Sequence, residues 1–206
     1  MFFPENQEYD LEKFHKEYSK KLHYALNSIN PKCLEEVYNA LSNCIVSGST
    51  VFTCGNGGSS SIAEHLVCDF VKGSSADSNL QPKIYPLLST PLLTAIANDI
   101  SYKDVFSFQI EHYSNPNDVL LSVSSSGNSE NITKAIKKAQ SMGLLTISFV
   151  GFDGGKAKEI SDIVVHVKTD NYGLAEDAHH ALMHIFAQYI RLKAIVDINK
   201  LGKIKF

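Results

Sequence analysis

Arginine is almost missing from this chain, which has 206 residues and 19 lysines and arginines together, of which one, Arg191, is an arginine. The basic residues are scattered, the formal net charge is −3, and no clustered basic face is evident. Nucleic-acid-binding proteins need such a face, so we expect no nucleic-acid partner. A phosphate ligand would have to be held by hydroxyls, backbone amides and helix ends rather than by arginine.

Long apolar runs and paired cysteines are missing too. No apolar run approaches the roughly 20 residues that cross a membrane, and residues 1–6 lack the basic segment and apolar run of a signal peptide. The cysteines form no Cys-x-x-Cys pair; they are Cys33, Cys44, Cys54 and Cys68. We interpret them as small hydrophobic residues in a reducing compartment. The sequence therefore predicts a cytoplasmic protein with no membrane partner.

Two serine-rich turns are the main positive feature of the chain. They read Cys-Gly-Asn-Gly-Gly-Ser at 54–59 and Ser-Ser-Ser-Gly-Asn-Ser at 124–129. Each follows a short apolar or β-branched run and precedes a stretch with helical spacing. A strand, a tight turn and a helix N-terminus direct free backbone N–H groups and the positive end of the helix dipole at one point. This arrangement is typical of phosphate binding.

Apolar runs alternate with helical patterns along the chain, which we interpret as one domain over residues 1–206. Strands are predicted at 51–54, 84–87, 119–123, 145–150 and 163–167. Helices are predicted at 8–27, 31–48, 60–72, 91–98, 103–113, 131–142, 155–160 and 174–196. Strands of this kind, alternating with helices, indicate an α/β fold with a mostly parallel sheet covered on both faces. Ligands of such sheets bind beyond the carboxyl ends of the strands, where both serine-rich turns fall.

The two leading helices, within residues 1–48, have wide apolar faces. We expect them to pack against a partner subunit in a homo-oligomer. The alternative is that they cover their own sheet.

Side chains suited to metal binding or proton transfer stand at helical spacing on two segments. His65 and Asp69 are four residues apart after the first serine-rich turn, and Glu176, His180 and His184 repeat that interval on the last helix. Imidazole and carboxylate groups suit Zn²⁺, and they also suit removal and return of a carbon-bound proton. The alternative is that these histidines are solvated or make one hydrogen bond, as we interpret the others in the chain.

The chain resembles the sugar isomerase (SIS) domain family, and within it the phosphoheptose isomerase branch, over residues 51–189. The first serine-rich turn matches the family motif letter for letter, and the second matches Ser-x-Ser-Gly-Asn-Ser. The segments Ile-Ala-Asn-Asp at 96–99 and Gly-Phe-Asp-Gly-Gly-Lys at 151–156 also resemble family motifs.

The resemblance implies a three-layer αβα sandwich with a five-stranded sheet, assembled as a homotetramer with sites between subunits; a dimer is the alternative. It implies one Zn²⁺ per subunit, held by His65, Asp69, Glu176 and His184, with His180 left open. Asp69 is the implied base and His184 the implied acid of proton transfer through an enediol. The expected substrate-binding residues are Asn56, Gly57, Gly58, Ser59, Asn98, Asp99, Ser124, Ser125, Ser126 and Ser129.

The chain departs from the phosphoheptose isomerase pattern at four places. Asp69 replaces a glutamate and Glu176 replaces a glutamine, although both remain oxygen ligands. A Gly-Arg pair and an Asp-Arg pair of the branch are also replaced, by Lys-Gly-Ser at 72–74 and by Gly-Leu at 173–174. In the family these positions face the distal end of the sugar.

The sequence thus predicts an aldose–ketose isomerase that acts with metal assistance on a sugar phosphate. The leading reaction converts sedoheptulose 7-phosphate to D-glycero-D-manno-heptose 7-phosphate for lipopolysaccharide or capsule synthesis. One alternative is isomerisation of a different sugar phosphate. The other is a non-catalytic SIS module that binds a sugar phosphate or a replication-initiator protein, which would have no need for the aligned acid–base residues.

Overall fold

The computed structural model describes residues 3–5, 7–197 and 199. Its centre is one five-stranded sheet in the order β2-β1-β3-β4-β5, with every pairing parallel. The strands are β1 Thr50–Gly55, β2 Lys83–Pro86, β3 Val119–Ser124, β4 Leu145–Val150 and β5 Ile163–His166. The predicted parallel sheet and its five strands are confirmed, and no strand end shifts by more than one residue.

Helices cover both faces of the sheet. They are α1 Leu11–Asn27, α2 Pro31–Ser47, α3 Gly58–Cys68, α4 Thr90–Asp99, α5 Ser107–Tyr113, α6 Glu130–Ser141, α7 Gly155–Ile160 and α8 Tyr172–Ala194. Two hydrophobic clusters lie on opposite faces, one built from α2, α3 and α8 and the other from α4 to α7. This is the three-layer αβα arrangement expected from the sequence.

The helix after the first serine-rich turn differs from its prediction as one continuous α-helix over 60–72. The α-helical part ends at Cys68, and the chain continues as a π-helical turn, Asp69–Ser74. Ser74 lies wholly buried in that turn, and its hydroxyl donates a hydrogen bond to the carbonyl of Phe70 over 2.6 Å. π-Helical turns often occur at functional sites, and this one begins at a predicted site residue.

The leading helices cover their own chain. α2 buries Val37 and Leu41 in the core against the sheet. α1 is joined to α8 by the Tyr18 hydroxyl, which donates to the Asp177 carboxylate over 2.6 Å. The alternative interpretation therefore accounts for part of their apolar surface, and the subunit interface stays a prediction.

None of the described helices combines the length and apolar character that crossing a membrane requires. The cytoplasmic location stays a prediction.

Arg191, in the C-terminal part of α8, binds the segment that follows the π-helical turn. Its Nε donates to the carbonyl of Ala76 over 3.1 Å, and its Nη2 donates to the Asp77 carboxylate over 3.4 Å. Both charged side chains are only 9% exposed. This arginine is thus engaged in holding two elements together, at the end of α8 far from the serine-rich turns in sequence.

Replacing Arg191 by alanine is expected to lower the free energy of unfolding by about 3 kcal/mol, because Asp77 would keep a buried charge without its partner. The matched control is Lys193→Ala on the same helix, an exposed position where the change stays within about 0.5 kcal/mol. Urea unfolding measures both variants, and equal losses would contradict the assignment of a buried ion pair.

Candidate active site

The first serine-rich turn leads from β1 into α3, whose N-terminus has no side-chain cap. Gly57 has φ +55°, and α3 begins at Gly58 without a side chain capping its first turn. The first amides of such a helix have no intrahelical partner. Ser59, the next residue, is buried at this end of α3. The turn therefore presents backbone donors at the carboxyl end of β1, as an anion site requires.

Asn56 of this turn is held by two residues, Asn131 and Tyr102, that belong to none of the sequence motifs. Asn56 and Asn131 exchange amide hydrogen bonds, each 2.9 Å long, and Asn131 is 3% exposed. The Tyr102 hydroxyl also donates to Asn56 Oδ1 over 2.8 Å. Because Asn131 is in the first turn of α6, this pair fixes the first serine-rich turn relative to the second. In the sequence, only the position of Asn131, two residues after the second serine-rich turn, could have pointed to this contact.

The two serine-rich turns line one cavity of about 120 Å³. Six of the predicted substrate-binding residues line it, together with Val123, Tyr172 and Glu176; the six are Asn56, Ser59, Ser124, Ser125, Ser126 and Ser129. The Ser125 hydroxyl is buried and has no hydrogen-bond partner among the described residues. We refer to this space as the serine cavity.

Asn98 and Asp99, also predicted to bind substrate, lie at the exposed C-terminal end of α4, where Asn98 donates a hydrogen bond to the Asp99 carboxylate over 2.7 Å. Within the described chain they are not among the residues that line the serine cavity. Their binding role stays a prediction.

The loop after β4 and the first turn of α7 form backbone hydrogen bonds to the second serine-rich turn. The amide of Gly151 donates to the Ser125 carbonyl over 2.8 Å, and the amide of Ala157 donates to the Gly127 carbonyl over 2.8 Å. Gly127 has φ +65°, and a Cβ there would overlap the backbone of Gly154. The glycine-rich segment at 151–156 thus acts as a scaffold for the serine cavity.

Three histidines converge where α3 meets α8, and His180 comes about one helical turn after Glu176 of the serine cavity. His65, His180 and His184 each offer a ring nitrogen, and these atoms all lie within 4.8 Å of one another. The His65 ring meets the other two edge-on, at centroid distances of 4.8 Å to His180 and 5.3 Å to His184. We refer to this group as the histidine cluster.

Asp69 lies against the histidine cluster at the start of the π-helical turn. Its Oδ1 is 3.3 Å from His65 Nε2, and its Oδ2 contacts His184 Nδ1. The residue is 8% exposed. The structure therefore brings together His65, Asp69 and His184, three of the four predicted metal ligands.

Glu176, the fourth predicted ligand, is placed differently. Its carboxylate lies so close to Gly58 that an added Cβ there would overlap it, and it lines the serine cavity. Burial raises the pKa of the Glu176 carboxyl, and the neighbouring Asp177 raises it further. Glu176 is not part of the three-residue histidine cluster, and its role as a ligand stays a prediction.

The residues present fit a divalent cation such as zinc. Three imidazoles and a carboxylate are donors that Zn²⁺ favours. Asp69 Oδ2 and His180 Nε2 are buried, and neither has a well-formed hydrogen bond among the described residues. The contact between Asp69 Oδ2 and His184 is close but has poor hydrogen-bond geometry. A cation would give both orphaned atoms a partner.

The chain is similar to known proteins in both sequence and fold. The SIS domain family profile matches residues 14–151, a segment that ends before α8. Phosphoheptose isomerase of Clostridium acetobutylicum is 40% identical over 143 residues, which cover 69% of this chain and 73% of that protein. Phosphoheptose isomerase of Helicobacter pylori (strain P12) is 36% identical over 176 residues, which cover 85% of this chain and 90% of that protein.

Solved structures share the fold over most of the chain. The structure of phosphoheptose isomerase from Neisseria gonorrhoeae superposes with a TM-score of 0.79 at 26% identity, covering 87% of this chain and 97% of that chain. The structure of a phosphoheptose isomerase from Francisella tularensis shares the fold with a TM-score of 0.81 at 24% identity. The match covers 88% of this chain and 96% of that chain.

Gly127→Ala is expected to lower the free energy of unfolding by about 3 kcal/mol, because positive φ strain adds to overlap with the Gly154 backbone. Gly143→Ala is the matched control: its φ is +83°, but the nearest atom to an added Cβ is 3.5 Å away. That variant should lose only the strain energy, about 1 kcal/mol. Urea unfolding compares the two, and equal losses would show that the two loops do not interlock.

Proposed function

The chain belongs to the SIS domain family, and from this premise we propose that it interconverts sedoheptulose 7-phosphate and D-glycero-D-manno-heptose 7-phosphate. At the coarser level it is a sugar-phosphate isomerase, like the phosphoheptose isomerases to which it is 36% and 40% identical. One observation carries the proposal: α8 meets α3 and its π-helical extension at the histidine cluster and Asp69, and the same two helices reach the serine cavity through Glu176 and Ser59.

The serine cavity would hold the phosphate group of the sugar. Its volume of about 120 Å³ suits a group of that size, and its lining is rich in hydroxyls. The open N-terminus of α3 adds backbone donors and the positive end of the helix dipole. Arg191 is engaged with Asp77, so hydroxyls and amides provide the binding.

Asp69 and His184 would move the proton between the two carbons that change oxidation level. Asp69 removes a proton from the hydroxyl-bearing carbon while His184 gives a proton to the carbonyl oxygen, which yields an enediol. Returning a proton to the former carbonyl carbon, with loss of one from the other hydroxyl, completes the aldose–ketose exchange. Direct contact between Asp69 and His184 supports this pairing, because general acid–base catalysis needs both groups within reach of one substrate.

His65, Asp69 and His184 would hold one zinc ion per subunit. When bound, the ion supplies Lewis-acid polarisation of the carbonyl and hydroxyl oxygens of the sugar. The protein would act as a homotetramer, and exposed apolar side chains of α8, among them Ile185 and Leu192, support a partner subunit. The surface-polysaccharide pathway remains part of the proposal.

A different sugar phosphate is the second candidate substrate. Gly73 and Ser74 are buried at the end of the π-helical turn, where the phosphoheptose isomerase branch has a glycine–arginine pair. Gly173, in the second replaced pair, lies against the Tyr18 hydroxyl. Neither position supplies an arginine for the distal end of a seven-carbon chain.

His184→Ala is expected to lower kcat on sedoheptulose 7-phosphate by a factor of about 100 or more, because one proton-transfer group is lost. The matched control is His23→Ala on exposed α1, which should leave kcat unchanged. Aldose formation is followed with purified, zinc-supplemented protein and a panel of five-, six- and seven-carbon sugar phosphates.

If the protein turns over a five- or six-carbon sugar phosphate but not sedoheptulose 7-phosphate, the second candidate substrate is correct. Binding of sugar phosphates without turnover of any of them would contradict the isomerase and favour a non-catalytic SIS module.

A further inference from the structure

We propose that His180 is a metal ligand of this chain and completes a three-imidazole set with His65 and His184. Glu176 then stays outside the coordination sphere and faces the serine cavity. This inference rests on the proposed function for the presence of a metal, but it concerns a residue that the family resemblance does not place among the ligands.

Helix geometry favours His180 over Glu176 as the partner of His184. His180 and His184 are four residues apart, about one turn of α8, so their side chains leave the helix on one face. Glu176 and His184 are eight residues apart, which corresponds to about 12 Å along the helix axis. Two histidines at the shorter interval are a recurrent zinc-binding arrangement on helices.

The ring positions agree with a shared ion. His65 reaches across from α3 and lies about equally far from the other two rings, with centroids at 4.8 and 5.3 Å. The rings of His180 and His184 are nearly parallel, at 17° and 5.0 Å between centroids. Zinc–imidazole bonds are about 2 Å long, so donor atoms within 4.8 Å of one another need only small side-chain rotations to meet one ion.

Burial gives a second, independent reason. His180 Nε2 is buried and has no hydrogen-bond partner among the described residues, which is costly for a polar atom. The carboxylate of Glu176, in contrast, lies against the N-terminus of α3 and lines the serine cavity with Ser59. A cation would satisfy the orphaned nitrogen of His180, whereas neither carboxylate oxygen of Glu176 is a buried atom without a partner among the described residues.

The test measures metal binding by the full chain and needs no sugar phosphate. Apo-protein is titrated with Zn²⁺ against a chromogenic chelator, for the parent and for His180→Ala, Glu176→Ala and His112→Ala. His180→Ala should weaken zinc binding more than about 100-fold, because it removes a ligand. This exceeds the effect of losing a residue that only contacts a ligand. Glu176→Ala and the exposed control His112→Ala should stay within about threefold of the parent.

A second variant separates a lost ligand from a disturbed fold. His180→Cys places a thiolate at the same position, and thiolates bind Co²⁺ as well as zinc. The cobalt-loaded variant should show a near-ultraviolet sulfur-to-cobalt charge-transfer band that the parent and His112→Ala lack. The parent has the same four native cysteines, including the exposed Cys68 next to Asp69, so a band seen in His180→Cys alone assigns the ligand to position 180.

The inference is overturned if Glu176→Ala weakens zinc binding while His180→Ala does not, if His180→Cys shows no charge-transfer band, or if the parent binds no zinc. Failure of the isomerase assay with the predicted order of zinc affinities would contradict the proposed function and leave the assignment of His180 intact.

Discussion

The packing of α8 against α3 and its π-helical extension is the constraint on which the candidate site depends. It places Asp69 between His65 of its own segment and His184 of a helix more than a hundred residues away. Without that packing, His65 and Asp69 on one segment and His180 and His184 on the other would be two separate pairs of polar residues at helical spacing. The buried ion pair of Arg191 and Asp77 joins α8 to the segment just after the π-helical turn.

The parallel sheet supplies the other half of the site. Because β1 and β3 are neighbours and parallel, their carboxyl ends place both serine-rich turns around one cavity. Successive turns of α8 connect that cavity to the histidine cluster through Glu176, His180 and His184. A substrate with a phosphate at one end and a carbonyl group further along would match the sequence of a serine cavity followed by the histidine cluster along α8. An arginine-poor chain thus offers hydroxyls and helix amides to an anion, beside groups suited to proton transfer.

Much of the fold and part of the site could be predicted from the sequence. Apolar runs located the five strands, and the interval between His65 and Asp69 predicted that both share a face. The π-helical turn could not be predicted, because it depends on packing rather than on local pattern. The hydrogen bonds from Asn131 and Tyr102 to Asn56 join segments distant in sequence. Likewise, helical spacing aligned Glu176 with His180 and His184, but only the packing of α3 on α8 shows which of them meet His65.

The most direct test of the account is a crystal structure of the Asp69→Asn variant with sedoheptulose 7-phosphate, in which loss of the proposed base preserves the substrate. The account predicts the phosphate in the serine cavity, beside Ser59 and Ser124, and the first two sugar carbons between position 69 and His184. A phosphate bound away from the serine-rich turns, or reactive carbons remote from His184, would contradict it.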